Sequence, residues 1–396
     1  MTLASAYLTS EFASGSKPAR FVLDTPLVIA MLVLLVLGLV MVGSASLGVA
    51  QHDFGDPFHY LWRQSAYVLV ALTLGVGAFF VPMGFWQKAG PVLIVGAALV
   101  LMLVFVPGLG TEVKGSRRWL NLGLFNLQAS ELAKFFVIIY LAGYLVRHAE
   151  AVRSSLAGFL RPLILLAFLV VLLLLEPDYG AAAVMLATAM GMMWLAGARM
   201  SQFILLMLIL FAMLAAVALL ESYRIDRLTV FLDPWQDPFR KGFQLTQALI
   251  AFGRGDLFGV GLGSGIQKLF YLPEAHTDFL LAVIGEELGL VGVLAVIGLF
   301  LVLIHRIFHI GREAEKRDHA FAAWLCYGIG LWVGLQAIIN MGVNMGVLPT
   351  KGLTLPLMSY GGSSLVVTCV ALAIVLRTFH ELHRYDRASQ RRVKRT

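Results

Sequence analysis

Charge is what this chain has least of. Charged residues fill 13% of its 396 positions, against roughly 25% in a soluble domain. Hydrophobic residues fill 59%. Apolar runs of that length are covered only by lipid or by one another, which excludes a water-soluble enzyme. Cysteine is almost missing too. Cys326 and Cys369 each lie inside an apolar run, with no metal-type spacing and no disulfide framework, so they are read as small packing residues. The alternating segments of a membrane β-barrel are absent, and helix is then the remaining way to satisfy a backbone in lipid. The polar stretch 1–20 lacks an apolar core followed by a small-residue cleavage site, so no cleavable signal peptide is expected.

What the chain does have is a series of apolar runs. They fall at about 25–47, 65–82, 90–107, 130–146, 160–176, 180–197, 201–220, 279–304, 320–344 and 361–379. Each is about as long as a helix that crosses a bilayer. Pro177 and Gly180 mark a tight turn between the fifth and the sixth. The expected fold is an all-α polytopic membrane protein of about ten transmembrane helices. It divides into an N-terminal tail (1–24), a membrane domain (25–380) with a large loop at 221–278 between the seventh and eighth spans, and a basic tail (381–396).

Ten crossings put both termini on one side. Eighteen of the 30 Lys and Arg residues fall on that side, so the termini are expected in the cytoplasm. The basic tail reads as an orientation signal that touches anionic lipid, not as a nucleic-acid site. The loops at 48–64, 108–129, 221–278 and 345–360 then face outward. They are rich in Gly, Pro, Asp, Arg and aromatics, and function is expected there.

Several stretches carry chemistry. Lys114-Gly-Ser-Arg117-Arg118-Trp119 places three cations at the outer end of a span. Arg forks suit phosphate oxygens, so this is either a diphosphate or anionic-headgroup site or an interfacial anchor. Ser130 reads as a helix cap, Glu131 as a first-turn carboxylate, and Lys134 as its ion-pair partner entering the membrane. Glu176-Pro-Asp178 is an acidic outer turn. The glycines from 259 to 265 lack the strand of a nucleotide fold and serve tight turns and close packing. In Leu272-Pro273-Glu-Ala-His276-Thr-Asp278-Phe279, Pro273 is taken as the helix start. That sets Asp278 between a helix dipole and desolvation, as suits either a general base or a plain carboxylate at a helix N-terminus. Glu286 and Glu287 point to different faces and are expected to be buried and hydrogen-bonded apart. Asn340, Asn344 and the Pro, Gly and Ser of 346–364 suggest broken helix at membrane depth, lining a cavity.

Taken together, EAHTDFLLAVIGEELG at 274–289 and the run from Asn340 to Ser363-Ser364 resemble the SEDS family (shape, elongation, division, sporulation). The match runs over nearly the whole chain. The wording around Tyr271–Asp278 and Pro349–Leu353 is closer to the division branch than to the elongation branch. Ala129 and Ala181 depart from the family's usual Pro and Thr. The resemblance implies a peptidoglycan glycosyltransferase that polymerises lipid II during septal synthesis, with Asp278 as its essential aspartate. It also implies a class B penicillin-binding protein as partner, within a set of other divisome membrane proteins. A substrate set of Lys114, Arg117, Arg118, Glu131, Lys134, His276, Lys351, Ser359 and Ser363 goes with it. A divalent cation, Mg²⁺ or Mn²⁺, fits the leaving diphosphate, although no carboxylate cluster specifies a metal site. A lipid II flippase and a non-catalytic division scaffold are the competing readings.

Overall fold

The structure, a computed structural model, describes residues 21–113, 116–121, 123, 126–199, 201, 203, 204, 208, 231, 233–240, 242–349 and 352–393. The seventh expected span (201–220) therefore lies almost wholly outside the described residues, as do Lys114 and Lys351.

Helix α1 (Thr25–Phe54) starts where Asp24 accepts the Leu27 amide at 3.0 Å. It ends where Gly55 takes a left-handed φ of 72°, the usual helix C-terminal device. Next come α2 (His59–Phe80) and α3 (Met83–Leu103). The loop expected at 48–64 is thus reduced to a short link at 55–58. Helical hydrogen bonding carries past the apolar runs, through polar residues such as His52, Arg63 and Gln64, into the interfacial zone.

An element the sequence did not suggest follows. Strands β1 (Gly110–Val113), β2 (Ser116–Asn121) and β3 (Asn126–Gln128) form an antiparallel sheet in that order. Trp119 stands opposite both Thr111 and Gln128. Strands this short leave no alternation long enough to read.

The chain then re-enters the bundle as α4 (Ala129–Ser154), α5 (Leu156–Leu175) and α6 (Tyr179–Leu195). After a 3-10 turn (Pro234–Gln236), a loop helix α7 (Phe243–Gly255) packs against α8 (Leu280–Lys316). Helices α9 (Ala320–Asn344) and α10 (Gly362–Val393) complete the chain. Among the described residues eight helices are long and apolar enough to cross a bilayer. Helix α6, at 17 residues, sits at the lower limit of a crossing. Helices α4 and α9 form the centre, with 78% and 72% of their apolar windows buried, against 17% for α2.

Two ends of the bundle are distinct. At one end Asp24 pairs with Arg306, and the Val22 amide donates to His380 Nδ1 at 3.2 Å. Glu381 there accepts from Arg377 at 2.7 Å and from the Met83 amide at 3.3 Å. The sheet, the α5–α6 turn and the segments 256–279 and 352–361 gather at the other, the loop end.

Helix α8 is broken. Gly289 has φ 66° and ψ −165°, open only to glycine. The loop after α7 fills the break. Val260 and Gly261 donate to the carbonyls of Glu286 and Glu287 at 3.0 and 3.1 Å, and Leu290 and Val291 donate to those of Asp256 and Leu257 at 2.9 and 3.1 Å. Backbone meets backbone so closely that a Cβ on Gly259 would collide with the Glu287 carbonyl. The loop thus supplies partners for four backbone groups that the break frees, as a broken helix within a membrane bundle needs. The expected break in the 340–364 region takes another form: α9 is unbroken to Asn344, and 352–361 returns as an extended and turned segment.

Candidate active site

The site grows from two asparagines on α9. Asn340 and Asn344 both donate side-chain N–H groups to the carbonyl of Asp278, at 2.9 and 2.8 Å. Asn340 also donates to the Leu353 carbonyl at 2.6 Å, and Asn344 accepts the Ala282 amide at 3.1 Å. One helix thus fixes both the backbone that carries Asp278 and the returning segment that faces it. The Asp278 carboxylate lies over Gly352, where an added Cβ would stand 3.3 Å from Oδ2.

The local geometry differs from that expected. Residues 271–279 form a series of turns, and α8 begins at Leu280, seven residues after Pro273. Asp278 therefore precedes the helix instead of lying within its first turns. The turns are imposed by tertiary bonds from α9, which a local helix-start signal does not contain. His276 is likewise off any helix. Its ring packs against Tyr60 at 4.6 Å and Tyr360 at 5.6 Å, and its carbonyl accepts the Tyr360 amide at 2.9 Å.

Below Asp278, Glu286 and Glu287 are fully buried and occupy separate networks, as expected. Glu286 accepts from Arg254 at 3.2 Å and from the Ile266 and Gln267 amides at 2.8 and 3.1 Å. Glu287 accepts from Lys268 at 2.6 Å, Ser44 at 2.8 Å and the Gly263 amide at 3.0 Å. The glycine run thus wraps both carboxylates. Arg254, Lys268 and Ser44 went unrecognised in the sequence because nothing local ties them to the glutamates.

Glu131 and Lys134 form the expected pair at 2.9 Å, buried beneath the returning segment. Lys134 also donates to Gln336 at 2.8 Å, and Gln336 donates to the Thr354 carbonyl at 3.1 Å. Ser130 does not cap α4. Its hydroxyl donates to Asp178 at 2.9 Å, while Asp178 caps α6 by accepting the Ala181 amide at 3.1 Å. Arg118 donates to the carbonyls of Glu176 and Pro177 at 3.2 and 2.6 Å. Arg117 points away and meets Glu112 at 3.4 Å, with both side chains exposed.

The two serines are engaged in holding backbone. The Ser359 hydroxyl accepts the Leu355 amide at 2.9 Å. That of Ser363 accepts the Gln128 amide at 2.9 Å and donates to the Asn126 carbonyl at 3.2 Å, tying β3 to the start of α10. Glu176 is buried, and among the described residues neither carboxylate oxygen has a hydrogen-bond partner. Burial, then the neighbouring Asp178, push its carboxyl up to about 8, against the opposing pull of Arg118.

These parts abut. The start of α6 is so close to the returning segment that a Cβ on Gly180 would lie 2.9 Å from the Leu353 side chain. Arg118 and its turn, the Lys134 network and Asp278 are therefore joined through residues 352–354. The chain as a whole is similar to known proteins. A family model described as cell cycle protein, FtsW/RodA/SpoVE, matches residues 25–384. This chain belongs to that family.

Among relatives, a protein of Nitrosococcus halophilus named probable peptidoglycan glycosyltransferase FtsW is 55% identical over 388 residues, 98% of this chain and 99% of its own length. One of the same name from Thioalkalivibrio sulfidiphilus is 56% identical over 91% of this chain and 90% of its own length. A solved structure described as structural coordination of polymerization and crosslinking by a peptidoglycan synthase complex matches with TM-score 0.73 at 30% identity. It covers 91% of this family member and 98% of that chain.

Proposed function

We propose that this family member is a peptidoglycan glycosyltransferase that polymerises lipid II, with Asp278 as general base. The observation that carries the assignment of the base is the placing of one carboxylate at the mouth of the bundle, its backbone pinned by Asn340 and Asn344 against the glycine of a returning loop. The names and extent of the matching relatives support the activity.

The chemistry follows from the parts. The acceptor's sugar hydroxyl attacks the anomeric carbon of the donor, and the bond from that carbon to the lipid diphosphate breaks. The hydroxyl proton passes to Asp278, a transfer that typically contributes about 10²–10⁴-fold in rate. Negative charge collects on the departing diphosphate, where fixed cations lower the barrier. Arg118 on its turn, with Lys114 and Lys351 from the adjoining segments, is assigned that charge. Mg²⁺ or Mn²⁺ would join them as an ion carried mainly by phosphate oxygens.

The partner is a class B penicillin-binding protein, the septal transpeptidase, among other divisome membrane proteins. The solved complex, which joins polymerization to crosslinking, supports this. The place of action is the outer face of the bacterial cytoplasmic membrane at the division septum, with both termini inside. Purified protein and labelled lipid II test the proposal. Glycan strands support it. Lipid moved across a vesicle without strands would make the chain a flippase, and neither product would make it a scaffold.

A further inference from the structure

Beside Asp278 the structure holds a run of aromatic rings that the proposed chemistry does not use. Phe54, the last residue of α1, is 51% exposed and stacks on His59 at 3.9 Å, with planes 9° apart. Tyr60 stands edge-on to both, at 5.7 Å from each. From Tyr60 the run continues to His276 at 4.6 Å and Tyr360 at 5.1 Å. Rings from α1, α2, the Asp278 turn and the returning segment thus make one file. It leads from the exposed end of α1 to a residue two positions from Asp278.

An aromatic belt at the membrane surface is the plain alternative, and belt rings face lipid. Trp62 does this: two residues after Tyr60 it points outward and is 67% exposed. Tyr60 and Tyr360 instead turn inward onto His276 and are only partly exposed. Their rings combine an apolar face with a polar rim, and a pyranose has the matching character, with C–H groups on its faces and hydroxyls around its edge.

We propose that Phe54, Tyr60 and Tyr360 form a binding track for the glycan strand already made, carrying its sugars away from Asp278 along α1 and α2. The occupant is a polymer of amino sugars. The track starts beside the carboxylate that closes each new glycosidic bond, and it reaches the surface at Phe54. Rings hold sugars without fixing a register, so a strand can advance by one unit after each addition and stay bound. The inference rests on the glycosyltransferase reading given above, and it predicts long strands, made by repeated addition before release.

Two measurements on the purified full chain test it. The first is binding of a fluorescent, lipid-free glycan oligomer to the parent and to Phe54→Leu, Tyr60→Leu and Trp62→Leu. These changes keep apolar bulk at the interface. Phe54→Leu and Tyr60→Leu should weaken binding about tenfold, a ring contact's worth, and Trp62→Leu should not. The second is strand length from labelled lipid II, which should fall severalfold in the first two variants relative to Trp62→Leu. Equal oligomer binding in all four proteins would overturn the track whether or not the chain polymerises. A parent that binds the oligomer through these rings but makes no strands would count against the glycosyltransferase reading and leave the rings a glycan-binding site alone. Parental strand lengths in Phe54→Leu and Tyr60→Leu would overturn its part in elongation.

Discussion

Asp278 and His276 stand two positions apart in a stretch of turns, and their surroundings differ. Asp278 lies over Gly352 with its backbone held from α9, while His276 is packed between two tyrosines. Asp278→Asn keeps the shape but cannot take a proton. It should fold, reach the membrane and lose polymerisation by about 10²-fold or more, measured as glycan made from lipid II. His276→Ala should keep measurable activity, and the reverse pattern would transfer the base to His276. Glu176 supplies a test of pH. Its carboxyl is raised to about 8 in the folded protein, from 4.5 when free. The folded state therefore holds the proton more tightly. The stability linked to that proton is complete below pH 4.5 and is lost as pH rises through about 8. Melting curves should show this fall, and Glu176→Gln, which cannot ionise, should flatten it and melt higher than the parent at pH 8. The sequence marked Glu176 only as part of an acidic turn, because its burial depends on β2 and Arg118, 58 residues away.

Among the elements, buried ion pairs decide how the returning segment and the glycine loop are held. Lys134 and Glu131 are almost wholly enclosed, and Lys134 reaches Thr354 through Gln336. Lys134→Met strands a buried carboxylate, and losing one partner of such a pair costs about 3–5 kcal/mol. Thermal denaturation in detergent should show the loss, and adding Glu131→Gln should recover much of it. This pair was legible in the sequence because i and i+3 on one helix are neighbours. The Lys268–Glu287–Ser44 network was not, since its members come from α1, the loop and α8. The break at Gly289 was hidden for a related reason. The apolar run continues straight through it, and a lone glycine in such a run reads equally well as close packing. Apart from 201–220, which lies outside the described residues, the expected spans fall on helices, and the helices run on where polar residues continue a helix that apolar composition no longer marks, by 12 residues in α8.

At the scale of the whole molecule, Asp24, Arg306, His380 and Glu381 collect at one end and the candidate site at the other. That polarity agrees with the distribution of Lys and Arg along the chain. It supports an orientation test: a cysteine placed at Gln236 should be labelled by an impermeant reagent from outside intact cells. The native Cys326 and Cys369 are buried and should stay silent. Labelling from the cytoplasmic side alone would invert the arrangement. The break in α8 also bears on how the molecule is built. Unbroken, the 37 residues of α8 would form a rod of about 55 Å, nearly twice the roughly 30 Å hydrocarbon thickness. In the folded chain the carbonyls of Glu286 and Glu287 are bonded by Val260 and Gly261 in place of helical partners. A straight α8 would therefore leave the loop at 256–261 without the carbonyls and amides it now pairs with, so the break and the docked loop stand or fall together.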